Sequence, residues 1–243
     1  MTEVRILPLE GVPEVQEGDD LGSLVRDAIE LRDDDVVVLA QKVVSKAEGR
    51  VVRLDGVEPS ARARELAGEE DPRRVEVILR EAVRIVRARP PLVIAETRHG
   101  LVCASAGVDA SNAPQQGTVV LLPADPDASA ARIRGRLLEL TRRKVGVLIT
   151  DSFGRPWRQG TTDVAIGAAG LQVVLDLRGR RDRLGYELHA TRIAVADEIA
   201  AAAELVMGKT DGVPGAVVRG LRLRGEGRAR DLVIPRERDL FRD

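Results

Sequence analysis

The chain has 243 residues, of which 44% are hydrophobic, so it can bury the core of one large domain or of two small ones. With 38 basic against 39 acidic residues and only 2% aromatic residues, neither net charge nor base stacking favours nucleic-acid binding. The single cysteine excludes an internal disulfide and a cysteine-built zinc site. No apolar run approaches the roughly 18 residues of a membrane span, so we expect a soluble, cytoplasmic protein.

The N-terminal part of the chain predicts a strand, a stiff loop, a helix and a second strand. Residues 4–7 are strand-like, and the prolines that follow keep the next segment out of a helix. Asp20 is a good N-cap for a helix through about Leu31. The apolar run at residues 36–40 predicts a buried strand.

Segment 41–50 follows that strand at its carboxyl end and carries Lys42 and Lys46. A solvated turn before a strand at residues 51–54 is one interpretation. The other is a binding site, because lysines at the end of a buried strand suit an anionic ligand.

The next segments predict helices followed by a hairpin. Residues 59–87 predict two helices, the second with apolar residues among arginines and glutamates. Residues 91–96 and 101–104 are strand-like on either side of a turn at residues 98–100. Cys103 is predicted to be a small core residue and not a nucleophile, because no electropositive residue stands beside it in the sequence.

Oxygen-bearing side chains are concentrated in the loop at residues 107–112. Asp109, Ser111 and Asn112 occupy three of four successive positions, and Pro114 prevents a helix from forming there. Such residues build turns by bonding their own backbone, and they also supply oxygen ligands, so both interpretations are open.

A strand at residues 119–122 precedes a helix that Asp127 or Ser129 can cap and that runs through Lys144. This helix leads to the apolar run at residues 145–149, which predicts a buried strand. The order strand, helix, strand is typical of an α/β sheet.

A carboxylate, a hydroxyl and two guanidinium groups come directly after strand 145–149. In open α/β sheets, ligands bind beyond the carboxyl ends of the strands. Asp151 and Ser152 offer hard oxygen ligands for magnesium or manganese, and Arg155 and Arg158 offer planar groups for phosphate or carboxylate. This combination indicates phosphoryl transfer.

The C-terminal part predicts a further helix and strand. The arginines of segment 178–183 form either an anion site or a solvated loop, and an alanine-rich helix ends at Met207. Segment 208–210, Gly-Lys-Thr, ends a helix where a phosphate loop would begin one, so it is predicted to be a C-cap. Residues 217–218 start a last strand, and the charged tail at residues 226–243 has too little apolar surface to fold by itself.

Strands and helices alternate along the chain, so we predict a mixed α/β fold with mixed sheets flanked by helices. If the loop of Asp109 meets that of Asp151, two carboxylates and the Ser152 hydroxyl can hold one or two divalent cations against a phosphate chain. Lys46 can then bind the phosphates as a point charge. A two-metal nucleotide phosphohydrolase would use the same residues on water, whereas a noncatalytic arginine-rich interaction module would need neither metal nor nucleotide.

Five motifs occur in order along the chain. They are Leu7-Pro8 through Gly18-Asp19-Asp20-Leu21, then Val-Ser-Lys-Ala-Glu-Gly-Arg at residues 44–50, Gly-Val-Asp-Ala-Ser-Asn at 107–112, Ile-Thr-Asp-Ser-Phe-Gly-Arg at 149–155 and Val-Ala-Asp-Glu-Ile-Ala at 195–200. Together they resemble the coenzyme F420-0:L-glutamate ligase family, from residue 4 to about residue 222.

The resemblance implies a GTP-dependent ligase that adds L-glutamate through a γ-glutamyl linkage to the phospholactyl tail of coenzyme F420-0 or its dehydro form. It implies an acyl-phosphate intermediate, release of GDP and phosphate, two divalent cations (Mg²⁺ or Mn²⁺) and stimulation by K⁺. It also implies an interlocked homodimer with a family-specific ligase fold. Residues 1–243 would form a single ligase domain or two interlocked subdomains, with residues 226–243 as the tail.

The resemblance also implies roles for individual residues. Asp109 and Asp151 correspond to ligands of one divalent metal, and Ser152, in place of a commoner threonine, corresponds to a ligand of the second. The implied nucleotide contacts are Val12, Pro13, Glu14, Val15, Gln41, Lys46 and Asn112, with Gln41 in place of a smaller serine.

The two arginines after strand 145–149 complete the predicted site. We hypothesise that Arg155 and Arg158 are catalytic: they hold the acceptor's phosphate and carboxylate or stabilise the transferring phosphoryl group. Replacement of Arg155 by alanine is then expected to reduce turnover strongly while it leaves the fold intact.

Overall fold

A computed structural model describes residues 3–240 and shows the predicted mixed α/β fold, with several sheets flanked by helices. In chain order the elements are β1 (Arg5–Pro8), α1 (Leu21–Ala28), β2 (Val36–Ala40), α2 (Gln41–Ala47), β3 (Val51–Arg53), α3 (Ala61–Ala67), α4 (Pro72–Glu81), β4 (Ala82–Arg89), β5 (Leu92–Thr97), β6 (Val102–Ala104), β7 (Thr118–Val120), α5 (Pro126–Thr141), β8 (Gly146–Arg155), β9 (Arg158–Ala169), β10 (Leu175–Asp176), β11 (Arg192–Ile193), α6 (Val195–Met207) and β12 (Gly215–Arg219).

The largest sheet has five strands in the order β1, β12, β2, β8, β9. Strands β2 and β8 run parallel, and the other neighbours in this sheet run antiparallel. The apolar runs that predict β2 and β8 are buried almost throughout. Continuous apolar strands of this kind need cover on both faces, and helices supply it here.

The two faces of this sheet belong to different cores. Val37 and Ile149 pack in the core that includes α1 and α5, whereas Val38 and Leu148 pack in the core that includes α6. This separation follows from the period of two along a strand, which sends successive side chains to opposite faces. The polar residues of β8 after Ile149 alternate between the same two faces of the sheet.

The helix caps follow the predicted chemistry with one correction. Asp20 caps α1, accepting a hydrogen bond from Gly22 N at 3.0 Å, as predicted, although the helix ends at Ala28. For α5 the prediction of Asp127 or Ser129 as the cap is wrong. Asp125 caps that helix through Ala128 N at 3.0 Å, and Pro126 occupies the first helical position, which favours a start before Asp127.

Asp127 instead joins three parts of the chain. Its Oδ1 accepts hydrogen bonds from Ala168 N on β9 at 2.9 Å and from Ala229 N in the C-terminal segment at 2.8 Å. Its Oδ2 lies 3.0 Å from Arg230 Nε. The tail, which carries little apolar surface, is therefore attached to the fold through a buried carboxylate.

A second region contains α3, α4, the three-stranded sheet β4, β5, β6 and the pair β3, β7, with its own core around Ile78 and Val93. The prediction that residues 59–87 form only helices is wrong at its end, because Ala82–Arg89 is strand β4 and pairs with β5. The predicted hairpin of β5 and β6 is confirmed. Cys103 on β6 is buried, as predicted, and burial raises the pKa of its thiol to about 12.

The segment after Ile149 is not the predicted loop. Strand β8 continues through Asp151 and Ser152 to Arg155 and returns as β9, in an antiparallel hairpin that leaves residues 154–161 exposed. Polar residues hid this extension from the sequence pattern, because an apolar run marks only the buried part of a strand. Within residues 3–240, no helix is long and apolar enough to cross a membrane.

Candidate active site

A cavity of about 490 Å³ opens where the ends of β2 and β8 meet the loop that follows α6. Because β2 and β8 are parallel, their carboxyl ends lie at one edge of the sheet, where α/β proteins bind their ligands. The cavity brings together most of the residues that the sequence marks for nucleotide and metal binding. Those in its wall are Glu14, Gln41, Lys46, Asn112, Asp151 and Ser152.

Helix α2 presents two predicted nucleotide contacts to the cavity. It begins at Gln41, directly after β2, so the interpretation of this segment as a solvated turn is wrong. Gln41 is 1% exposed; its Oε1 accepts a hydrogen bond from Ser45 Oγ at 2.9 Å, and its Nε2 has no partner among residues 3–240. Lys46 is 6% exposed and pairs with Glu14 from the N-terminal loop. Buried donors at a cavity wall suit an anionic ligand.

Asp109 lies beside the cavity and is held by Lys42, which lines it. Lys42 Nζ is 2.8 Å from Asp109 Oδ2 and donates to Ser111 Oγ at 2.6 Å. Ser111 also donates its backbone N–H to Asp109 Oδ1 at 2.7 Å, so the loop is an Asx turn as well as part of the site. Burial raises the pKa of Asp109, but the hydrogen bonds from Lys42 and Ser111 outweigh it and leave that pKa below its usual value.

Asp151 and Ser152 both line the cavity, but they belong to opposite faces of β8. Asp151 continues the face of Ile149, toward the core of α1 and α5, and Ser152 continues the face of Leu148, toward α6. A pair of neighbours in sequence is therefore divided between two environments.

Asp151 has a raised pKa, and burial is the main cause. Burial raises the pKa of Asp151 to about 7, and the charges of Asp163 and Asp109 act in the same direction. The backbone N–H of Ser152 and the ammonium of Lys42 oppose this rise but are too weak to cancel it. A cation beside Asp151 would favour its ionised form.

The face of Ser152 carries a hydrogen-bonded chain of polar groups. Asp163, which is 4% exposed and lies opposite Ser152 on β9, accepts from Thr150 Oγ1 at 2.9 Å and from Ser152 Oγ at 2.6 Å, each through a separate oxygen. Lys209 Nζ donates to Ser152 Oγ at 2.6 Å. Glu204 on α6 lines the same side, and burial followed by the charge of Asp163 raises its pKa.

Asp163 and Lys209 carry no motif that singles them out in the sequence. For Asp163 the signal is the hairpin register, which sets it opposite Ser152 once β8 and β9 are paired. The predicted C-cap after α6 is confirmed: Gly208 has a φ of +60°, and a Cβ there would lie 2.2 Å from Asp211 Oδ2. This same turn brings Lys209 to the cavity, although the segment is not a phosphate loop.

The other predicted site residues lie away from the cavity wall. Val15 is 3% exposed and lies in the core that includes α1 and α5. Val12 packs against the same core, and Pro13 lies between the two valines in the chain. Arg155 and Arg158 flank the exposed tip of the β8–β9 hairpin. Their proposed contacts with nucleotide and acceptor remain predictions.

Asp109 and Asp151 are the two carboxylates that could hold one divalent cation here, if the Lys42 ammonium gave up Asp109 Oδ2. Carboxylate oxygens are the ligands that Mg²⁺ and Mn²⁺ prefer, and a cation beside Asp151 would favour the ionised form that burial disfavours. Residues 3–240 contain no group of three or more His, Cys, Asp or Glu side chains that could hold a metal ion. A cation held by these two carboxylates would take most of its ligands from water and from oxygens of a bound molecule.

Comparison with known proteins decides the family. Residues 11–220 match the family described as F420-0:Gamma-glutamyl ligase. The chain belongs to this family. Proteins named coenzyme F420:L-glutamate ligase from Methanopyrus kandleri, Methanothermobacter thermautotrophicus and Archaeoglobus fulgidus are 50%, 44% and 43% identical to it. These matches cover 98% of this chain in each case and 98%, 99% and 96% of the relatives.

The family relationship that the five motifs predict is confirmed. The segment that matches the F420-0:gamma-glutamyl ligase family contains every residue of the cavity wall, from Glu14 to Pro214. The hairpin tip with Arg155 and Arg158 also lies within it. The cavity is thus built from the part of the chain that defines its membership of the family.

Proposed function

We propose that this chain is a GTP-dependent ligase that joins L-glutamate, through a γ-glutamyl linkage, to the phospholactyl tail of coenzyme F420-0 or its dehydro form. The shared family and the name of the relatives support the ligase reaction and its two substrates. The observation that carries the nucleotide part is the cavity, where Lys46 and Asn112 share one wall with Asp151. The buried ammonium of Lys46 and the amide of Asn112, beside carboxylates, suit a nucleotide with its metal ion.

The proposed reaction runs through an acyl phosphate. An oxygen of the acceptor carboxylate attacks the γ-phosphorus of GTP, the bond from that phosphorus to the bridging oxygen breaks, and GDP leaves. The amine of glutamate then attacks the acyl carbon, loses a proton and displaces inorganic phosphate. Activation is needed because a carboxylate oxygen is a poor leaving group.

Residues of α2 would hold the nucleotide. Lys46 is buried to 6% exposure and has Glu14 as its ion-pair partner, so a phosphate can take the place of the carboxylate on its ammonium. The Nε2 group of Gln41, which has no partner within residues 3–240, offers a second donor. Asn112 offers an amide from the opposite loop.

Asp109 and Asp151 would hold a divalent cation, Mg²⁺ or Mn²⁺, which when bound neutralises charge on the phosphates during transfer. Lys42 keeps Asp109 ionised and fixes its carboxylate through Oδ2, and the Ser111 N–H fixes it through Oδ1. The second cation that the family resemblance implies at Ser152 has to compete with Lys209.

We also propose that the chain forms a homodimer and that Arg155 and Arg158 are catalytic within it. The tip of the β8–β9 hairpin lies away from its own cavity, and Trp157 there is 87% exposed. Leu184, in the arginine-rich loop, is 90% exposed. A second copy of the chain would cover these apolar side chains, and Arg155 and Arg158 would then serve the cavity of the partner.

The experiment that tests the function measures phosphate release from GTP with Mg²⁺ or Mn²⁺, with and without F420-0 and L-glutamate. Reactions in K⁺ and in Na⁺ test the monovalent cation, and mass spectrometry of the deazaflavin product counts added glutamates. We expect release only when both co-substrates are present. Release without them would favour a phosphohydrolase, and no turnover in any mixture would favour a noncatalytic interaction module.

A further inference from the structure

The walls of the cavity that α2 and α6 build offer different groups to a ligand. On the wall of α2, Lys46 is 6% exposed, and the buried Nε2 group of Gln41 has no partner within residues 3–240. On the wall of α6, Glu204 presents a carboxylate, and Asp163 lines the same cavity from β9. The first wall suits anionic groups of a ligand, and the second suits a cationic group.

The carboxylate of Glu204 is open to a ligand. It forms no ion pair and accepts no hydrogen bond within the part of the chain that the structure describes. Burial and then the charge of Asp163 raise its pKa, although the more distant charges of Lys209 and Lys42 act in the opposite direction. Asp163, by contrast, already accepts hydrogen bonds from two hydroxyls of β8. A cationic ligand on this side of the cavity would therefore meet Glu204.

The position of Glu204 on its helix also favours a cation. Glu204 belongs to the last turn of α6, which contains no basic residue, and the end of the helix at Met207 and Gly208 lines the cavity. Lys209, which follows, donates to Ser152 Oγ instead of pairing with Glu204. The C-terminus of a helix carries a partial negative charge, so an acidic side chain there is unfavourable by itself and a cation is stabilised by both.

Only one substrate of the proposed reaction brings a cationic group. The nucleotide brings phosphates, and the acceptor brings the phosphate and carboxylate of its phospholactyl tail. L-Glutamate brings an ammonium, and its nitrogen has to reach the acyl phosphate that forms from those two anions. A carboxylate in the same cavity as the phosphate donors of α2 can hold this nitrogen near the acyl carbon.

We propose that Glu204 binds the ammonium of L-glutamate and that the end of α6 is the amino-acid subsite of the cavity. The inference rests on the proposed function, because the acyl phosphate defines where the nitrogen has to arrive. Glu204 is then a substrate-binding residue for the second half of the reaction and has no part in the transfer of the phosphoryl group.

The test separates the two halves of the reaction with Glu204→Gln, which keeps the size of the side chain and removes its charge. The KM for L-glutamate should rise at least about tenfold, while the KM for GTP stays within about twofold. Hydroxylamine, which is uncharged at neutral pH, can replace glutamate: its nitrogen attacks the acyl carbon, loses a proton and displaces phosphate, which gives a hydroxamate. The rate of hydroxamate formation should be equal in the variant and the wild type.

The matched control is Glu198→Gln. Glu198 is an exposed glutamate in the first turn of α6 and lies outside the cavity wall, so both KM values and the hydroxamate rate should stay unchanged. A second measurement needs no variant. Glutarate is glutamate without its amino group, so its inhibition constant for the wild type should be at least about tenfold above the KM for L-glutamate.

Each contrary result has a different meaning. If Glu204→Gln slowed hydroxamate formation as much as glutamate ligation, Glu204 would act on the nucleotide or its metal ion; the inference would be wrong and the proposed function would stand. An unchanged KM for L-glutamate in the variant, or glutarate that binds the wild type as tightly as glutamate, would show that the ammonium is not bound here. Failure of the wild type to form either product would overturn the proposed function itself.

Discussion

The two faces of β8 at the cavity differ in how their charge is balanced. Toward α1 and α5, Asp151 has a pKa raised to about 7 by burial and by the carboxylates of Asp163 and Asp109. Toward α6, two hydroxyls occupy the oxygens of Asp163, and Lys209 adds a positive charge on Ser152. One strand therefore presents a buried carboxylate with a raised pKa on one side and a hydroxyl bound to a lysine on the other. The difference shows that neighbours along a strand can have separate functions, because the period of two divides them.

The largest effect is expected from Asp151→Asn, which removes one carboxylate of the proposed metal site. Turnover should fall about 100-fold or more, because the proposed metal loses one of its two carboxylates. The melting temperature of the metal-free protein should stay the same or rise, since the folded state disfavours the ionised form of this carboxyl group. Steady-state kinetics and calorimetry measure the two quantities.

The control for Asp151→Asn is Asp176→Asn. Asp176 is an exposed carboxylate that pairs with Arg178 and lies outside the cavity wall, so its removal should leave turnover unchanged. If Asp151→Asn kept normal turnover with Mg²⁺ and with Mn²⁺, the raised pKa would reflect burial alone and the metal assignment would be wrong.

A smaller loss, about tenfold, is expected from Arg155→Ala at the hairpin tip, with no change in the melting temperature because the side chain is exposed. The same variant can show whether Arg155 acts on the cavity of its own chain or on the cavity of a partner. Co-expression of the Arg155→Ala and Asp151→Asn chains gives mixed dimers. If the hairpin acts on the partner, one cavity of each mixed dimer has an intact Asp151 from one chain and an intact Arg155 from the other. About a quarter of the wild-type turnover should then return.

The outcome of that mixing experiment separates two arrangements. Without any return of turnover, Arg155 would act within its own chain or not act in catalysis at all. Light scattering of the purified wild type, which reports its mass in solution, establishes whether a dimer is present for the mixing to test.

The sequence predicts the part of the fold that apolar patterns encode. The runs at residues 36–40 and 145–149 predict β2 and β8, and Asp20 predicts the start of α1, because burial and capping leave direct marks in the sequence. Strand β4 was not predictable from the same evidence. Its alternation in Ala82–Arg89 follows a helix rich in the same arginines and valines, and only pairing with β5 distinguishes the two.

The sequence marks the site residues that follow apolar strands, but it does not mark those that strand pairing brings to the site. Asp109, Lys46 and Asp151 stand out as polar residues after apolar strands, and the structure brings Lys46 and Asp151 to one cavity with Asp109 beside it. Asp163 and Lys209 do not stand out, because their place depends on hairpin pairing and on the turn after α6. Long-range geometry of this kind has no local signature.

A third prediction tests the hydrogen-bonded side of β8 through stability. Asp163→Ala leaves the hydroxyls of Thr150 and Ser152 without their acceptor, and Thr150 is 1% exposed. The free energy of unfolding should fall by about 2–3 kcal/mol, as expected for buried groups that lose their partner. Urea unfolding measures it, and the loss should be smaller in a Thr150→Val background, where one of the two hydroxyls is already gone.

The smallest effect is expected from Ser152→Ala, which sharpens the contrast with Asp151. The hydrogen bond to Asp163 and the exposed one from Lys209 are lost, so the free energy of unfolding should fall by about 1 kcal/mol. Turnover should fall less than about fivefold, because the charge of Lys209 stays at the cavity after the hydroxyl is removed. A loss as large as that of Asp151→Asn would mean that the serine hydroxyl is itself a metal ligand, and that the two faces of β8 work in the same way.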